Sequence, residues 1–543
     1  MIFKKRLFFI FFLCCLFSTV YGQEAEGTSP DQIPEGSAEQ NSEIPINGID
    51  ESQIDESQTA YYIRTVTFDS QGKTRVSALM EKGEFILGEN IRGKNNLENY
   101  INRKTQILLN QRVLENVHIE YTLASADENG LIPVDLLINT TDTMNIIILP
   151  EPKYDSNSGF EITIKARDYN FLGSMTPLRV DLGYSYDEEG KHSVLLGIDS
   201  DIPFRAFGYN WNLNFDHEFD NTQGKPLYYK NTTGLSMDLP FKTTTFTFGF
   251  NQSILVNEQN NTSDAIDDGS YFQDRWYMSS EPYTQWKIPL GITVGRFGSL
   301  TYTPKLTGTI NYRPNGELGE YREGPSITPS QSIGFGEINW IGNYRKGLEV
   351  SLQNSNAYNI YRTSWTNSIS ISAIGHLPLA EDIGISGRFM YRHWFFDPKA
   401  IPTVFGNEYF HVYSDGGDAL RGIKNNQLPV NYMLSLNMDF PVRLFRFVPS
   451  EWYNNPKLHF FDFELHGSPF IDIALAEDPV NKRSFSFKDT LVAGGVEAIV
   501  FPLAMRSFYL RLSLGMDLRE FLRTGRFFPS GGRELFIGVG HYY

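Results

Sequence analysis

From about residue 144 to the end, apolar and polar residues alternate in short runs. Tyr209, Trp211, Leu213 and Phe215 interleave with Asn210, Asn212, Asn214 and Asp216. Phe160, Ile162 and Ile164 interleave with Glu161, Thr163 and Lys165, and Phe246, Phe248 and Phe250 with Thr245, Thr247 and Gly249. Leu434, Leu436 and Met438, and then Leu510, Leu512, Leu514 and Met516, repeat the pattern. A period of two places successive side chains on opposite faces of a strand, so each run has one apolar and one polar face. The runs total up to 18, thirteen before residue 397 and five after residue 432. Tight turns such as Leu239-Pro240-Phe241-Lys242 alternate with long polar loops at 255–274, 313–331 and 397–432. Unequal linkers of this kind separate a transmembrane barrel from a soluble sandwich. The expected fold is an all-β transmembrane barrel of about 16 antiparallel strands, with up to 18 counted.

The segment 61–142 reads differently, as strand, helix, helix, strand, strand. Tyr62, Val66 and Phe68 mark the first strand, and Val76, Leu79 and Met80 a short helix. Leu97, Tyr100, Ile101 and Leu108 form one face of a longer helix. Val117, Ile119 and Tyr121 then alternate with polar residues, Asn129-Gly130 supplies a hairpin turn, and Val134, Leu136 and Ile138 return. This is a small α+β domain ahead of the barrel, which occupies 143–543.

The first 22 residues place Lys4, Lys5 and Arg6 before an apolar run of 11 residues, Leu7 to Phe17. That is the pattern of a secretory signal peptide, and the run is too short for a spanning helix, which needs roughly 20 residues. A lipid-accepting cysteine at 14 or 15 is the poorer reading, since Leu13 is not the small residue such a site wants. Both cysteines of the chain lie here, so the exported protein has no disulfide, thiol nucleophile or thiolate metal site. Removing the three basic residues takes the formal charge from −17 to about −20. Ten acidic residues and no Lys or Arg fall within 23–63, and 23–60 is expected to be an acidic disordered linker. An acidic chain of this kind excludes a nucleic-acid partner.

Four short motifs then appear in order. Asn170-Phe171-Leu172-Gly173 follows the second barrel strand. Gly416-Gly417-Asp418-Ala419-Leu420-Arg421-Gly422-Ile423 lies in the longest loop, and Phe470-Ile471-Asp472-Ile473-Ala474 on the second strand after it. The last strand, with Leu535, Ile537 and Val539 on one face, ends at Tyr543. Together with the α+β domain, they resemble the BamA/TamA/Sam superfamily of outer-membrane assembly barrels, also called bacterial surface antigen proteins. The resemblance covers 61–543. It departs from the family pattern at Ile423, Ala474 and His541, which stand where an aromatic, a glycine and an aromatic are usual.

The resemblance implies that 61–142 is a POTRA domain in the periplasm of a double-membrane (Gram-negative) bacterium. It implies that Gly416, Gly417, Leu420, Arg421 and Gly422 form a loop folded into the lumen, with Arg421 paired to Asp472 beside Phe470. The turn of Asn170, Phe171 and Gly173 reads as a tight periplasmic turn. Pro150 and Pro152 on the first barrel strand and Gly538 and Tyr543 on the last mark a weak closing seam. The implied role is insertion or translocation of nascent outer-membrane or secreted proteins through that seam, with the lipid bilayer and periplasmic accessory proteins as partners. The alternative is a passive surface barrel or secretion pore of the same fold. No catalytic spacing, metal site or cofactor motif is found, so no enzyme is expected.

Overall fold

The computed structural model describes residues 59–155, 159–186, 190–224, 226–257, 276–295, 297–318, 322–396, 403–404, 408–409, 414–415, 419–422, 429–477, 483–526 and 533–539. The signal peptide, nearly all of the acidic linker, Gly416, Gly417 and Tyr543 lie outside them.

The α+β module runs β1 (Ala60–Gln71), α1 (Val76–Lys82), β2 (Asn90–Arg92), α2 (Lys94–Asn110), β3 (Leu114–Leu123) and β4 (Ile132–Asp142). Its sheet order is β2-β1-β4-β3, with β1 and β4 parallel and the outer pairs antiparallel. Three-residue β2 is too short to leave a periodic signal, so the sequence pattern does not reveal it. On β1 the pattern also misplaces one residue. Tyr61 and Ile63, not Tyr62, are buried, while Val66 and Phe68 pack on the same core. A bulge between Ile63 and Thr65 explains this, because one extra residue reverses the facing of everything before it. Ile63, Leu79, Leu97, Leu108, Val134, Leu136 and Ile138 fill the centre, with α2 covering the sheet. Val76, one of the apolar residues that mark α1 in the sequence, is exposed. In the β3–β4 hairpin the Asp127 carboxylate accepts from the N–H groups of Asn129 and Leu131, each at 2.9 Å, and Gly130 supplies the positive φ of 75°.

The remaining strands close into an antiparallel barrel. In order they are β5 (Ile146–Asp155), β6 (Gly159–Asp168), β7 (Leu178–Tyr186), β8 (His192–Ala206), β9 (Tyr209–Thr222), β10 (Tyr228–Phe241), β11 (Thr244–Val256) and β12 (Trp276–Thr293). Then come β13 (Ser299–Tyr312), β14 (Ser326–Ile341), β15 (Tyr344–Asn359), β16 (Ser364–Ala380), β17 (Ile383–Phe396), β18 (Tyr432–Asp439) and β19 (Val442–Phe447). The ring ends with β20 (Phe463–Glu477), β21 (Leu491–Pro502), β22 (Leu510–Asp517) and β23 (Arg533–Val539), which returns to β5. β18 and β19 both lie between β17 and β20, so they are one position interrupted at Phe440-Pro441. The barrel therefore has 18 positions among the described residues, thirteen before the long loop and five after it, the upper count that the alternation gives rather than about 16.

The outer wall is apolar. Ile148, Ile164, Leu182, Phe248, Phe250, Leu306, Val496 and Leu512 are all exposed, whereas the alternate residues turn inward and are largely polar. β14 begins at Ser326, inside the stretch that reads as loop, because Ser-Ile-Thr-Pro-Ser-Gln looks like a linker although the ladder to β13 holds it extended.

The core of the module predicts its own test. A fragment spanning 59–142 should unfold cooperatively by circular dichroism, and Leu136→Ala should lower its stability by about 2 to 5 kcal/mol, the usual cost of an empty leucine site. A non-cooperative melt would show that the module depends on the barrel to fold.

Candidate functional site: a pinned lumen loop, a docked module and a closing seam

An 18-position barrel is wide enough that side chains alone do not fill it. Arg421 enters this space from the loop between β17 and β18 and is almost completely buried. Asp472 of β20, fully buried and turned inward, takes it in a bidentate grip, with Nε to Oδ2 at 3.0 Å and Nη2 to Oδ1 at 2.7 Å. The backbone N–H of Arg421 also donates to Asp472 Oδ2 at 2.9 Å. Nη1 donates to Asp439 Oδ1 at 2.6 Å and Glu497 Oε1 at 3.2 Å. The Phe470 ring lies 3.7 Å under the guanidinium carbon. Thus one cation ties the loop to β18, β20 and β21 together.

The neighbouring residues seat the loop backbone. Leu420 and Ala419 enter an apolar patch with Met433, Ala474, Leu491 and Ala493. Asn437 donates from Nδ2 to the Ala419 carbonyl at 2.8 Å. Gly422 has φ 88° and lies against the backbone of Gly515 and Met516, leaving no room for a side chain. Its N–H donates to Glu534 of β23 at 2.8 Å. Glu497 is shared with Arg511, at 3.0 Å, and Arg511 stacks over Phe536 of β23 at 4.2 Å. The loop is therefore connected to the last strand by two routes.

The turn motif does more than reverse the chain. Asn170 is buried and donates from Nδ2 to Thr74 Oγ1 at 2.7 Å and to Asp142 Oδ2 at 3.2 Å, both in the α+β module. Its Oδ1 accepts from the Met175 N–H at 2.9 Å, which keeps the turn folded. The Gly173 carbonyl accepts from the Arg75 N–H at 2.9 Å, and a side chain at 173 would strike the Lys73 carbonyl. Phe171 opens this short turn, and its carbonyl accepts from Ser174 Oγ at 2.6 Å.

A second joint is made by Arg112. Its guanidinium stacks 3.9 Å over Trp340 and donates to the Arg506 and Gly342 carbonyls and to Asn343. Burial pulls its pKa down to about 10. Asn110 exchanges hydrogen bonds with Asn339 Oδ1 and the Trp340 N–H. The module thus touches turns on well-separated parts of the ring, at β6–β7, β14–β15 and β21–β22, and spans the barrel mouth.

At the seam the direction of the backbone decides what the prolines do. Successive residues of a strand turn their N–H and C=O to opposite neighbours. The Asn145 carbonyl accepts from Tyr169 on the β6 side at 2.9 Å, and the Met144 N–H points the other way, to Ala504 at 3.4 Å. The β5–β6 register runs from Ile146 to Asp155 without a shift. Ile147, Leu149 and Glu151 therefore bond toward β6, while Ile146, Ile148, Pro150 and Pro152 face β23. Two of those four positions have no N–H to give. Among the described residues β23 covers Arg533–Val539. Gly538 lies under the Glu151 carboxylate, which would collide with any side chain there, and Glu151 is held on β5's other side by Lys165.

No family model matches this chain, and no curated protein matches it. Several solved structures are similar to it. One is BamA from Haemophilus ducreyi lacking POTRA domains 1–3, at 13% identity over 88% of this chain and 84% of that one, with a TM-score of 0.36. CdiB from Acinetobacter baumannii is 13% identical over 89% and 74%, with a TM-score of 0.41. CdiB from Escherichia coli is 9% identical over 91% of each chain, with a TM-score of 0.36.

Two outcomes follow from this geometry. Asp472→Ala and Arg421→Ala should each lower the temperature at which the folded barrel band converts to the unfolded one on a gel. Removing one partner of a buried pair costs about 3 to 5 kcal/mol, less where lumen water reaches the site. An unchanged conversion temperature in both variants would remove the pair's structural role. Asn170→Ala with Arg112→Ala should instead leave barrel conversion unchanged and speed tryptic cleavage at Lys73 and Arg75. Equal protection in the double variant would show that the module is held by other contacts.

Proposed function

We propose that the chain is an outer-membrane assembly or translocation barrel of the BamA/TamA/Sam type. In this reading the α+β module is a POTRA domain on the periplasmic side, and its uncovered edge strand β3 offers main-chain hydrogen bonds to an extended client segment. The barrel spans the outer membrane, with its apolar outer wall in lipid. The first and last strands part to pass the client sideways. No reaction is assigned to the Arg421 cluster: its carboxylates are engaged by two guanidinium groups, and its work is to hold the loop.

The observation that carries this reading is the seam. Both β5 prolines withdraw their donors from the closing pair and from no other. A barrel that only conducts gains nothing from such a weakness. A secretion pore also requires a cleared lumen, whereas here the loop and the docked module both stand in the path.

The test is a disulfide across the seam. The position of Glu151 over Gly538 places Pro150 nearer to Val539 than Ile146 is, so Pro150→Cys with Val539→Cys is the first pair, with neighbouring registers scanned. Pro150→Ala controls for loss of the proline. The oxidised pair should block insertion of a client barrel into liposomes, and reduction should restore it. Full insertion by a chain with a verified cross-seam bond would leave the passive barrel as the better description.

A further inference from the structure

At the end of the barrel that carries the module, four of the eight links between strands have two residues, such as Phe207-Gly208 and Gly342-Asn343. The link from β19 to β20 is different. Residues 448–462 form a helical turn, α3 (Pro449–Trp452), and a tighter turn at Pro456–Phe461. A four-residue helix has no stability of its own. Asp462, itself buried, holds both turns: its carboxylate accepts from the Ser450 N–H at 3.1 Å, from the Ser450 hydroxyl and from His459 Nδ1 at 2.9 Å.

What this brace presents is aromatic. Trp452 is 59% exposed, Tyr453 73%, Phe460 54% and Phe461 59%. Trp452 packs edge-on against Phe447 with ring centroids 5.0 Å apart, and Phe447 and Phe445 pack on Phe463 at 5.3 and 5.8 Å. Phe463 shares the outward face of β20 with Leu465, and Leu444 beside them is exposed too. The patch is thus continuous with the apolar outer wall of the barrel. Soluble surfaces rarely keep such a patch uncovered.

We propose that residues 449–461 are a membrane-interface anchor, seated at the boundary between headgroups and acyl chains of the leaflet on the module side, with phospholipid as the occupant. The inference rests on the reading of the outer wall as lipid-facing. Trp and Tyr carry an apolar body and a polar tip and favour that depth. Glu451 is paired with Arg446 at 3.2 Å, and Lys457 is the one basic residue of 449–461 apart from His459, so the segment has no basic cluster that would call for an acidic lipid. A protein covering the patch would have to displace lipid from the adjoining wall rows. Because the geometry is fixed by Asp462, the anchor is formed before it meets the membrane.

The two cysteines of the sequence, Cys14 and Cys15, both precede the barrel in the segment read as signal, so single-cysteine variants carry one label. Phe460→Cys and Phe461→Cys would be labelled with an environment-sensitive dye and the full chain reconstituted in phosphatidylcholine vesicles containing brominated acyl chains. Phe248→Cys on the outer wall is the lipid-exposed control, and Asn129→Cys in the module hairpin sets the aqueous background. Dye at 460 and 461 should lose emission in brominated vesicles relative to Asn129, and more with bromines near the headgroup than with bromines deep in the chain. Quenching at 248 with only background loss at 460 and 461 overturns the anchor and points to a protein-covered patch. Background loss at 248 as well overturns the lipid-facing wall, and the anchor with it.

Discussion

The interior of this barrel is organised by one buried cation. Stripping water from a guanidinium is costly, and the cost is offset only when carboxylates take its place in good geometry. Here three carboxylates on three separate strands converge on Arg421, and an aromatic face closes the remaining side. Asp439 lies on the strand that follows the loop, but Asp472 and Glu497 lie on strands further along the chain, so the loop is fully pinned only once the wall around it is complete. Conversely, three carboxylates without Arg421 would face one another across a narrow space. The pin and the wall thus require each other, which suits a structure that must hold one loop position in a lumen too wide to be packed.

The same cluster reaches the seam. Glu497 binds Arg421 and Arg511 alike, Arg511 lies over Phe536, and Glu534 caps the Gly422 amide. β23 is therefore held from inside by the loop. β5 is held from its other side by the β6 ladder and the Glu151–Lys165 pair. Each edge of the seam thus has its own set of contacts on the side away from the seam. At the opposite end of the lumen, Asn170 and Arg112 fasten the module to turns on different arcs of the ring, so the mouth and the wall are also linked through named side chains rather than through a flexible tether.

Much of the barrel was legible from alternation alone, because a two-sided wall, apolar outside and polar toward the lumen, writes itself into every second residue. What alternation cannot show is where the backbone departs from it. The bulge at Arg64 hides Tyr61 as a core residue, the break at Phe440-Pro441 divides one position into two strands, and the polar start of β14 reads as loop. Arg421 and Asp472 stood out through their family resemblance, but Asp439, Glu497 and Glu534 did not. Inward carboxylates are ordinary in a polar lumen, and only the three-dimensional register gathers these three. Asn170 was legible as a turn residue and illegible as a joint, since its partners Thr74 and Asp142 come from a different domain. Arg112 carries no local signal at all.

The prolines of β5 illustrate how register turns a composition fact into a directional one. A proline in a strand removes one donor, and sequence alone does not say from which neighbour. Had the pair stood at Leu149 and Glu151, the loss would have fallen on the β5–β6 ladder, and the first hairpin of the barrel would have been the weak point. At Pro150 and Pro152 it falls on the closing pair instead. The shift of a single residue therefore decides whether the barrel has a frayed hairpin or a separable seam. The Glu151 side chain between the two prolines adds to the same asymmetry: it pairs with Lys165 on the strong side and offers Gly538 on the weak side no bond. Toward β6 the strand keeps its donors, and toward β23 it lacks two of them.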